Sequence, residues 1–231
     1  MIHYARLPFG VPVQQIQTEV LSLNCQWQPH FNTKHYEGNW TILSLRSPSG
    51  ESGMIIPDAK ENQAFANTPL MEACLAIKKL IDDFHCPIMA VRLMNLRAGS
   101  VIKEHRDHDL AFEKGEARLH FPIFTNPAVA FYVSGERVVM QEGECWYVNV
   151  NLPHKVANHG KEDRIHLVVD CLVNDWLKEL FEKAAVVEAP ISLDIKAQLK
   201  IIHELRLQNT EVTNRLADEL EQNLALKHTD G

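Results

Sequence analysis

No C-x-x-C pair occurs in this sequence, and its five cysteines (Cys25, Cys74, Cys86, Cys145 and Cys171) are odd in number and widely spaced. A zinc knuckle and a thioredoxin-type motif are thereby excluded. Buried free thiols in a reducing compartment are the simplest reading, so a cytoplasmic protein is expected. An excess of basic residues is missing too. Lys and Arg total 23 against 30 Asp and Glu, a formal net charge of -7, so no nucleic acid is expected as a partner. No apolar run approaches the ~18–20 residues needed to span a bilayer. The opening MIHYARLPFGVPVQQIQ lacks the basic-then-apolar order of a signal peptide, so neither a membrane nor a secretory route is expected. Internal repeats and low-complexity segments are also lacking. What remains is an ordinary globular composition: 231 residues, 45% hydrophobic and 23% charged, enough for one large domain or a domain with a small appendage. Less ordinary are the twelve histidines, six of which fall between His105 and His166.

Three zones differ in texture. Up to about residue 90, short apolar stretches alternate with loop signals. Trp40 to Leu45 reads as a strand, closed by a turn at Ser47-Pro48-Ser49-Gly50. Leu70, Ala73, Cys74, Ile77, Leu80 and Ile81 recur by threes and fours, which predicts one amphipathic helix with Thr68 as N-cap and Pro69 at its first position. From about 88 to 173 the pattern becomes strands and turns: 88–94, 116–124, 128–133, 136–140, 145–150 and 164–171, with Ser134-Gly135 as a two-residue hairpin signal. The spacing leaves no room for crossover helices, so an antiparallel sandwich or barrel is expected. After Asn174 the chain turns helical. Trp176 to Ala185 forms one helix, and Pro190 ends that run. Ser192 then caps a helix through Leu207, and a joint at Gln208-Asn209-Thr210 leads into another reaching about Leu226. Ile195, Leu199, Ile202 and Leu205, with Val212, Leu216, Leu220 and Leu224, suggest a helical hairpin serving packing or homodimerisation. The expected organisation is a mainly β domain over 1–175 and a helical appendage over 176–231.

The chemistry centres on Lys103-Glu104-His105-Arg106-Asp107-His108. On an extended segment side chains alternate, so His105 and Asp107 share one face while Arg106 and His108 share the other. One imidazole and one carboxylate are two thirds of the facial triad that holds non-haem Fe(II). A third ligand must come from elsewhere. His154, in Asn151-Leu152-Pro153-His154, is the candidate, although taken alone it reads as a surface-loop histidine. Arg164 leads the apolar run Ile165-His166-Leu167-Val168-Val169-Asp170, and Arg118 shares a strand face with His120. An arginine entering a buried sheet needs an anion. A dicarboxylate cosubstrate would satisfy both arginines, and so would an internal acid such as Asp170.

The order His-x-Asp (105, 107), Arg-x-His (118, 120), Pro-His (153, 154) and Arg-Ile-His-Leu-Val-Val-Asp (164–170) resembles the aspartyl/asparaginyl β-hydroxylase family of 2-oxoglutarate-dependent oxygenases. It looks closest to that family's bacterial cis-4-proline-hydroxylase-like branch. Gly38-Asn39-Trp40 and Leu45-Arg46-Ser47 also fit, and the likeness covers about residues 36 to 173. The resemblance implies a double-stranded β-helix of the cupin-like jelly-roll type. It implies Fe(II) held by His105, Asp107 and His154, with 2-oxoglutarate and O2 as cosubstrates. Arg164 would grip the distal carboxylate of 2-oxoglutarate, and Arg118 and His120 would lie near its other end. Mammalian aspartyl hydroxylases lack the carboxylate ligand, so Asp107 points to the small-substrate branch. The implied reaction is hydroxylation of an unactivated C–H in a free amino acid such as proline.

Arg92 and Arg97 are candidates for a substrate carboxylate, each with a solvated or rim position as the alternative. Trp40 is a candidate pocket wall, with a place in the core as the alternative. His108, His159 and His166 read as supporting or surface groups. Two other classes compete with the oxygenase. One is a metal-binding cupin-like isomerase or small-ligand-binding protein, and the other is a silent interaction module working through its C-terminal hairpin.

Overall fold

The computed structural model describes residues 1–55, 64–107, 110–188 and 195–227. The chain divides into two compact units, Met1–Glu188 and Ala189–Gly231. In the first unit the strands are β1 (Ile2–Leu7), β2 (Gln28–Pro29), β3 (Tyr36–Glu37), β4 (Trp40–Pro48), β5 (Phe65–Asn67), β6 (Ile88–Leu96) and β7 (Val101–His105). They continue with β8 (Glu116–Phe124), β9 (Val129–Val133), β10 (Glu136–Val138), β11 (Cys145–Val148), β12 (His154–Asn158), β13 (Arg164–Leu172) and β14 (Ala185–Glu188). The helices of this unit are α1 (Val13–Ser22), α2 (Pro69–Glu72), α3 (Leu75–Asp82) and α4 (Asp175–Glu182).

Two antiparallel sheets face each other. The major sheet runs β14-β1-β11-β8-β13-β6-β4-β2, with β5 beside β4, and the minor sheet runs β10-β9-β12-β7-β3. This is the antiparallel sandwich expected from the strand-and-turn texture, in the jelly-roll form that the resemblance implies. The central strand β13 is buried along almost its whole length, because both of its faces are covered. Its odd-numbered side chains Leu167 and Val169 join Leu93, Leu119 and Phe121 of neighbouring strands in one core. Ile16 and Val20 of α1, Ile77 and Leu80 of α3, and Leu177 and Phe181 of α4 close that core from outside. Each such side chain contributes about 1.5–3 kcal/mol on burial. The even-numbered side chains look into the gap between the sheets. There Trp40, Met94 and Val168 meet Ile102, Phe131 and Val156 of the minor sheet in a second, smaller core. The same face carries Arg92, Arg118, His120, Arg164 and Asp170, all buried. Alternation along the strands therefore separates a greasy layer from a polar cavity.

Local structure follows the turn chemistry where that chemistry is strong. Ser134 and Gly135 both have positive φ, 49° and 84°, and join β9 to β10 as a tight hairpin whose twist suits the strands. Gly38 is required at its place: a Cβ there would stand 2.4 Å from Ser100 Oγ, the atom that accepts from Asn39 N–H at 2.8 Å. The helix expected over 69–81 is broken in two at Ala73-Cys74, where Cys74 adopts φ -108°, ψ 74°. Thr68 holds the expected N-cap position, but its side chain makes no capping hydrogen bond. Its hydroxyl donates instead to Ser44 and Leu45 carbonyls at 2.9 and 3.1 Å, which ties the segment to β4.

Helix α4 is capped by Asn174, whose Oδ1 accepts from Leu177 N–H at 3.1 Å. Because Leu177 and Phe181 complete the first core, this helix and the strand after it belong to the first unit. The boundary falls after residue 188, later than the 175/176 division expected from texture alone. The second unit holds α5 (Ile195–Gln208) and α6 (Glu211–Lys227), the expected hairpin; Ser192, the expected cap, lies outside the described residues. Ile202 and Ala217 are buried in it, whereas Val212 and Leu216 are exposed. Arg206 Nη2 donates to Asp218 Oδ1 at 2.6 Å and to Glu221 Oε2 at 3.1 Å, bracing one helix on the other. Among the described residues, no helix is long and apolar enough to cross a membrane.

Candidate active site

Strands β7 and β12 pair antiparallel with His105 opposite His154. Cross-strand registration thus joins two histidines far apart in sequence, with ring centroids 4.2 Å apart. His154 begins a strand; it is not in the loop that its Pro-His context suggested. Each imidazole is held the same way. His105 Nδ1 lies 2.8 Å from the Lys103 carbonyl and His154 Nδ1 lies 3.0 Å from that of Leu152. A carbonyl can only accept, so both Nδ1 atoms carry the proton and both Nε2 lone pairs are left for a metal. Asp107 follows just beyond β7, anchored by its N–H to the Val150 carbonyl at 2.9 Å. Its Oδ1 is 3.6 Å from His105 Nε2. One ligand atom from each of His105, Asp107 and His154 lies within 4.8 Å of the others.

Burial, and then the neighbouring His105, push the His154 pKa down to about 4, so this ring is neutral at pH 7 as a ligand must be. Burial opposes charge on Asp107, but Arg118 and the two imidazoles keep its carboxyl below the ordinary value. Two nitrogens and one carboxylate on one side of a site fit non-haem Fe(II), with the opposite positions left open.

These three residues line a cavity of about 510 Å³ between the sheets, within the usual range for a small-molecule site. Arg164, at the start of β13, lines it too and is 2% exposed. Its Nη2 donates to His166 Nδ1 at 2.8 Å, and its guanidinium stands 5.9 Å from the Phe131 ring centroid. Its Nε–H finds no partner, and among the described residues no ion pair reaches it. Desolvation pushes its pKa down to about 9. A buried cation without an anion is costly, and this one borders an open cavity. His120, on β8, lines the same cavity, and both of its buried ring nitrogens lack a partner. Burial, and next Arg164, hold it neutral, well below its ordinary pKa. Such orphaned polar atoms mark where a ligand's polar groups belong.

The family model for aspartyl/asparaginyl beta-hydroxylase matches residues 12–173. The chain belongs to the aspartyl/asparaginyl β-hydroxylase family. The match takes in α1 and the loop after it, which the sequence resemblance from about residue 36 did not reach. Among curated proteins the chain is 28% identical over 135 residues to the L-proline cis-4-hydroxylase of Rhizobium meliloti (strain 1021). Those residues are 58% of this chain and 48% of that relative, so the chain spans about half the length of the curated relative it matches. Among solved structures, it is similar to an oxidoreductase of the 2OG-Fe(II) oxygenase family from Burkholderia pseudomallei (14% identity, 68% of this chain and 77% of that one, TM-score 0.45). It is also similar to SnoN, a non-haem α-ketoglutarate-dependent epimerase from nogalamycin biosynthesis (10% identity, 74% and 78%, TM-score 0.46).

In this β-hydroxylase family member the remaining expected residues part company. Trp40 lines the cavity while sitting in the smaller core; its ring stacks on His30 with centroids 3.5 Å apart. Arg92 also lines the cavity, and its Nη2 donates to Asp170 Oδ2. Arg97 does not reach the cavity. It lies just past the end of β6, and its exposed side chain stands 3.8 Å from Asp163, so solvent and that carboxylate satisfy it. Arg118 lines the cavity but is turned to acids, Asp170 at 2.6 and 3.0 Å and Asp107 through Nη1. The internal acid weighed against a cosubstrate is therefore what Arg118 meets. His166 is buried behind Arg164, His159 is exposed, and His108 lies outside the described residues.

Sequence reasoning missed His30, Phe31, Asn32 and His35, which line the cavity from the loop between β2 and β3. His30 is buried and its pKa is pushed down to about 3, chiefly by that burial. The run Pro29-His30-Phe31-Asn32, dense in ring and amide groups just before Gly38-Asn39-Trp40, was the available signal. Phe131 was missed because its strand looked like plain core.

Proposed function

We propose that this chain is an Fe(II)- and 2-oxoglutarate-dependent dioxygenase that hydroxylates an unactivated C–H bond of a small substrate, an amino acid such as proline or a close relative. In this reading His105, Asp107 and His154 hold the iron. Bound there, Fe(II) couples the oxidative decarboxylation of 2-oxoglutarate by O2 to insertion of one oxygen atom into the substrate. The chain's own residues bind, orient and exclude water. Arg164 receives the distal carboxylate of 2-oxoglutarate as a charged, hydrogen-bonded pair, through N–H groups that His166 leaves free. His166 keeps the guanidinium from rotating by accepting from Nη2. His120, held neutral, donates its one N–H to an oxygen of the bound cosubstrate. Trp40 stacked on His30 supplies a flat apolar wall against which a small ring can lie, and Met94 and Ile102 keep the space dry.

The observation that carries the reading is Arg164, a desolvated guanidinium with no carboxylate partner among the described residues, beside a two-histidine, one-carboxylate cluster. A metal-binding barrel that only isomerises or stores a ligand gives no reason for that cation. The amino-acid substrate is supported by the likeness to an L-proline cis-4-hydroxylase. Succinate formation with Fe(II), ascorbate and 2-oxoglutarate, screened over proline, its homologues, other amino acids and short peptides, tests the whole reading. Stimulation by one ring or aliphatic amino acid, with an oxygen added to it, is expected. Failure to turn over 2-oxoglutarate with any of them contradicts it.

A further inference from the structure

Four charges of alternating sign run in a line from the major sheet to the metal ligands. Arg92 Nη2 donates to Asp170 Oδ2. Arg118 grips the same carboxylate with two N–H groups, Nε to Oδ1 at 2.6 Å and Nη2 to Oδ2 at 3.0 Å. Its remaining arm, Nη1, donates to Asp107 Oδ2. Asp170 and Arg118 are direct cross-strand partners on β13 and β8, and Arg92 faces Val168 on the next strand. Backbone registration therefore sets the first three members. The fourth, Asp107, is on a loop and its side chain is 31% exposed, so the strands do least to hold it.

We propose that Asp170, acting through Arg118, is a positioning residue for the metal. It fixes the guanidinium so that Arg118 takes one oxygen of Asp107 and leaves only the other for the ion. The inference rests on the iron-binding reading above and adds how its carboxylate ligand is oriented. Each histidine ligand has its own clamp, the carbonyl two residues before it; Arg118 is the matching clamp for the carboxylate. A carboxylate with both oxygens free can chelate an ion and use up a position that a cosubstrate needs. Holding Oδ2 keeps Asp107 one-toothed and the open face open. Asp170 matters because an arginine fork left with one partner prefers to take both oxygens of it. Without Asp170, buried Arg118 has Asp107 as the nearest carboxylate and draws it off the metal.

Mn(II), a redox-silent probe of Fe(II) sites, gives a readout independent of turnover. Titrating it into the full chain by calorimetry, with the Mn(II) electron-resonance signal in parallel, compares wild type, Asp170→Asn and Arg118→Lys. A lysine keeps the charge but contacts as a point and cannot span both acids, so it tests the same idea if Asp170→Asn does not fold. Each folded variant is expected to bind Mn(II) about 10- to 100-fold more weakly, with an altered resonance spectrum. On an Arg118→Met background, Asp170→Asn should weaken binding little further, because its effect runs through Arg118. Wild-type Mn(II) affinity in folded Asp170→Asn, or in Arg118→Lys where the former fails to fold, overturns the positioning role alone. An equal loss with and without Arg118 also overturns it. No metal binding by the wild type overturns the iron reading and this inference together.

Discussion

Replacing Arg164 by Met removes a charge and keeps most of the side chain's length, and two opposite effects follow. In the ligand-free protein the guanidinium is 2% exposed and its pKa is pushed down to about 9 by desolvation. Its removal relieves a buried cation that no carboxylate among the described residues offsets. Against this, His166 Nδ1 loses its donor at 2.8 Å, a loss of about 1 kcal/mol. An unpaired buried ion costs several kcal/mol, so the ligand-free Tm of Arg164→Met should not fall. With 2-oxoglutarate the sign reverses. A charged hydrogen-bonded pair contributes about 1.5–3 kcal/mol, which corresponds to about 10- to 150-fold in affinity. At 100 times its Kd, 2-oxoglutarate stabilises the wild type by about 2.7 kcal/mol. At about 2–4 °C per kcal/mol for a unit of this size, that raises Tm by roughly 5–11 °C. At the same concentration the variant should show about half that shift or less. Thermal denaturation with Mn(II), with and without 2-oxoglutarate, reads both effects in one experiment. A variant that melts well below wild type yet keeps the full ligand shift would refute the reasoning, since Arg164 would then be structural.

His154→Ala deletes one of the three proposed ligand atoms, and calorimetric titration should show Mn(II) affinity falling by more than the about 10- to 100-fold typical of a supporting residue. Asp170 bears on acid stability. Burial opposes its charge, but Arg118 and then Arg92 keep its carboxyl below the ordinary value of 3.8. As pH falls the unfolded chain takes up that proton first, so the stability it contributes is complete above about pH 4 and is lost below it. Urea unfolding between pH 5 and 3 should fall more steeply for wild type than for Asp170→Asn; equal slopes would count against the pairing. Thr68→Val removes the buried hydroxyl that donates to Ser44 and Leu45 carbonyls. A loss of about 1 kcal/mol, or about 2–4 °C in Tm, is expected, with Thr68→Ser close to wild type.

Much of this was legible in the sequence for identifiable reasons. The period-two alternation of β8 and β13 and the Ser134-Gly135 turn are local signals, and each produced its element. His105 and Asp107 were readable as a pair because two residues on an extended chain share a face. Their partner His154 was not readable from spacing alone, since what joins it to His105 is the pairing of β7 with β12, a non-local event. The fate of the arginines was less legible still. Arg118 and Arg164 look alike in sequence, each ahead of an apolar strand with a histidine two residues on. Only cross-strand registration puts Asp170 opposite Arg118 and Leu96, which offers no acid, opposite Arg164. Arg97 failed as a cavity residue because it falls just past the end of β6 at an odd-numbered position, whereas the alternation there aims even-numbered side chains such as Arg92 and Met94 inward. The α2–α3 break at Cys74 escaped notice because its apolar positions keep helical spacing across the interruption.

The most direct test of the central claim is an anaerobic titration of the full chain with Fe(II) and then 2-oxoglutarate, followed by visible absorption. A keto acid chelating ferrous iron gives a charge-transfer band that neither component gives alone. The account predicts that this band saturates at one iron per chain, is lost in His154→Ala, and needs far more 2-oxoglutarate in Arg164→Met. No band in the wild type, or an undiminished band in His154→Ala, would contradict it.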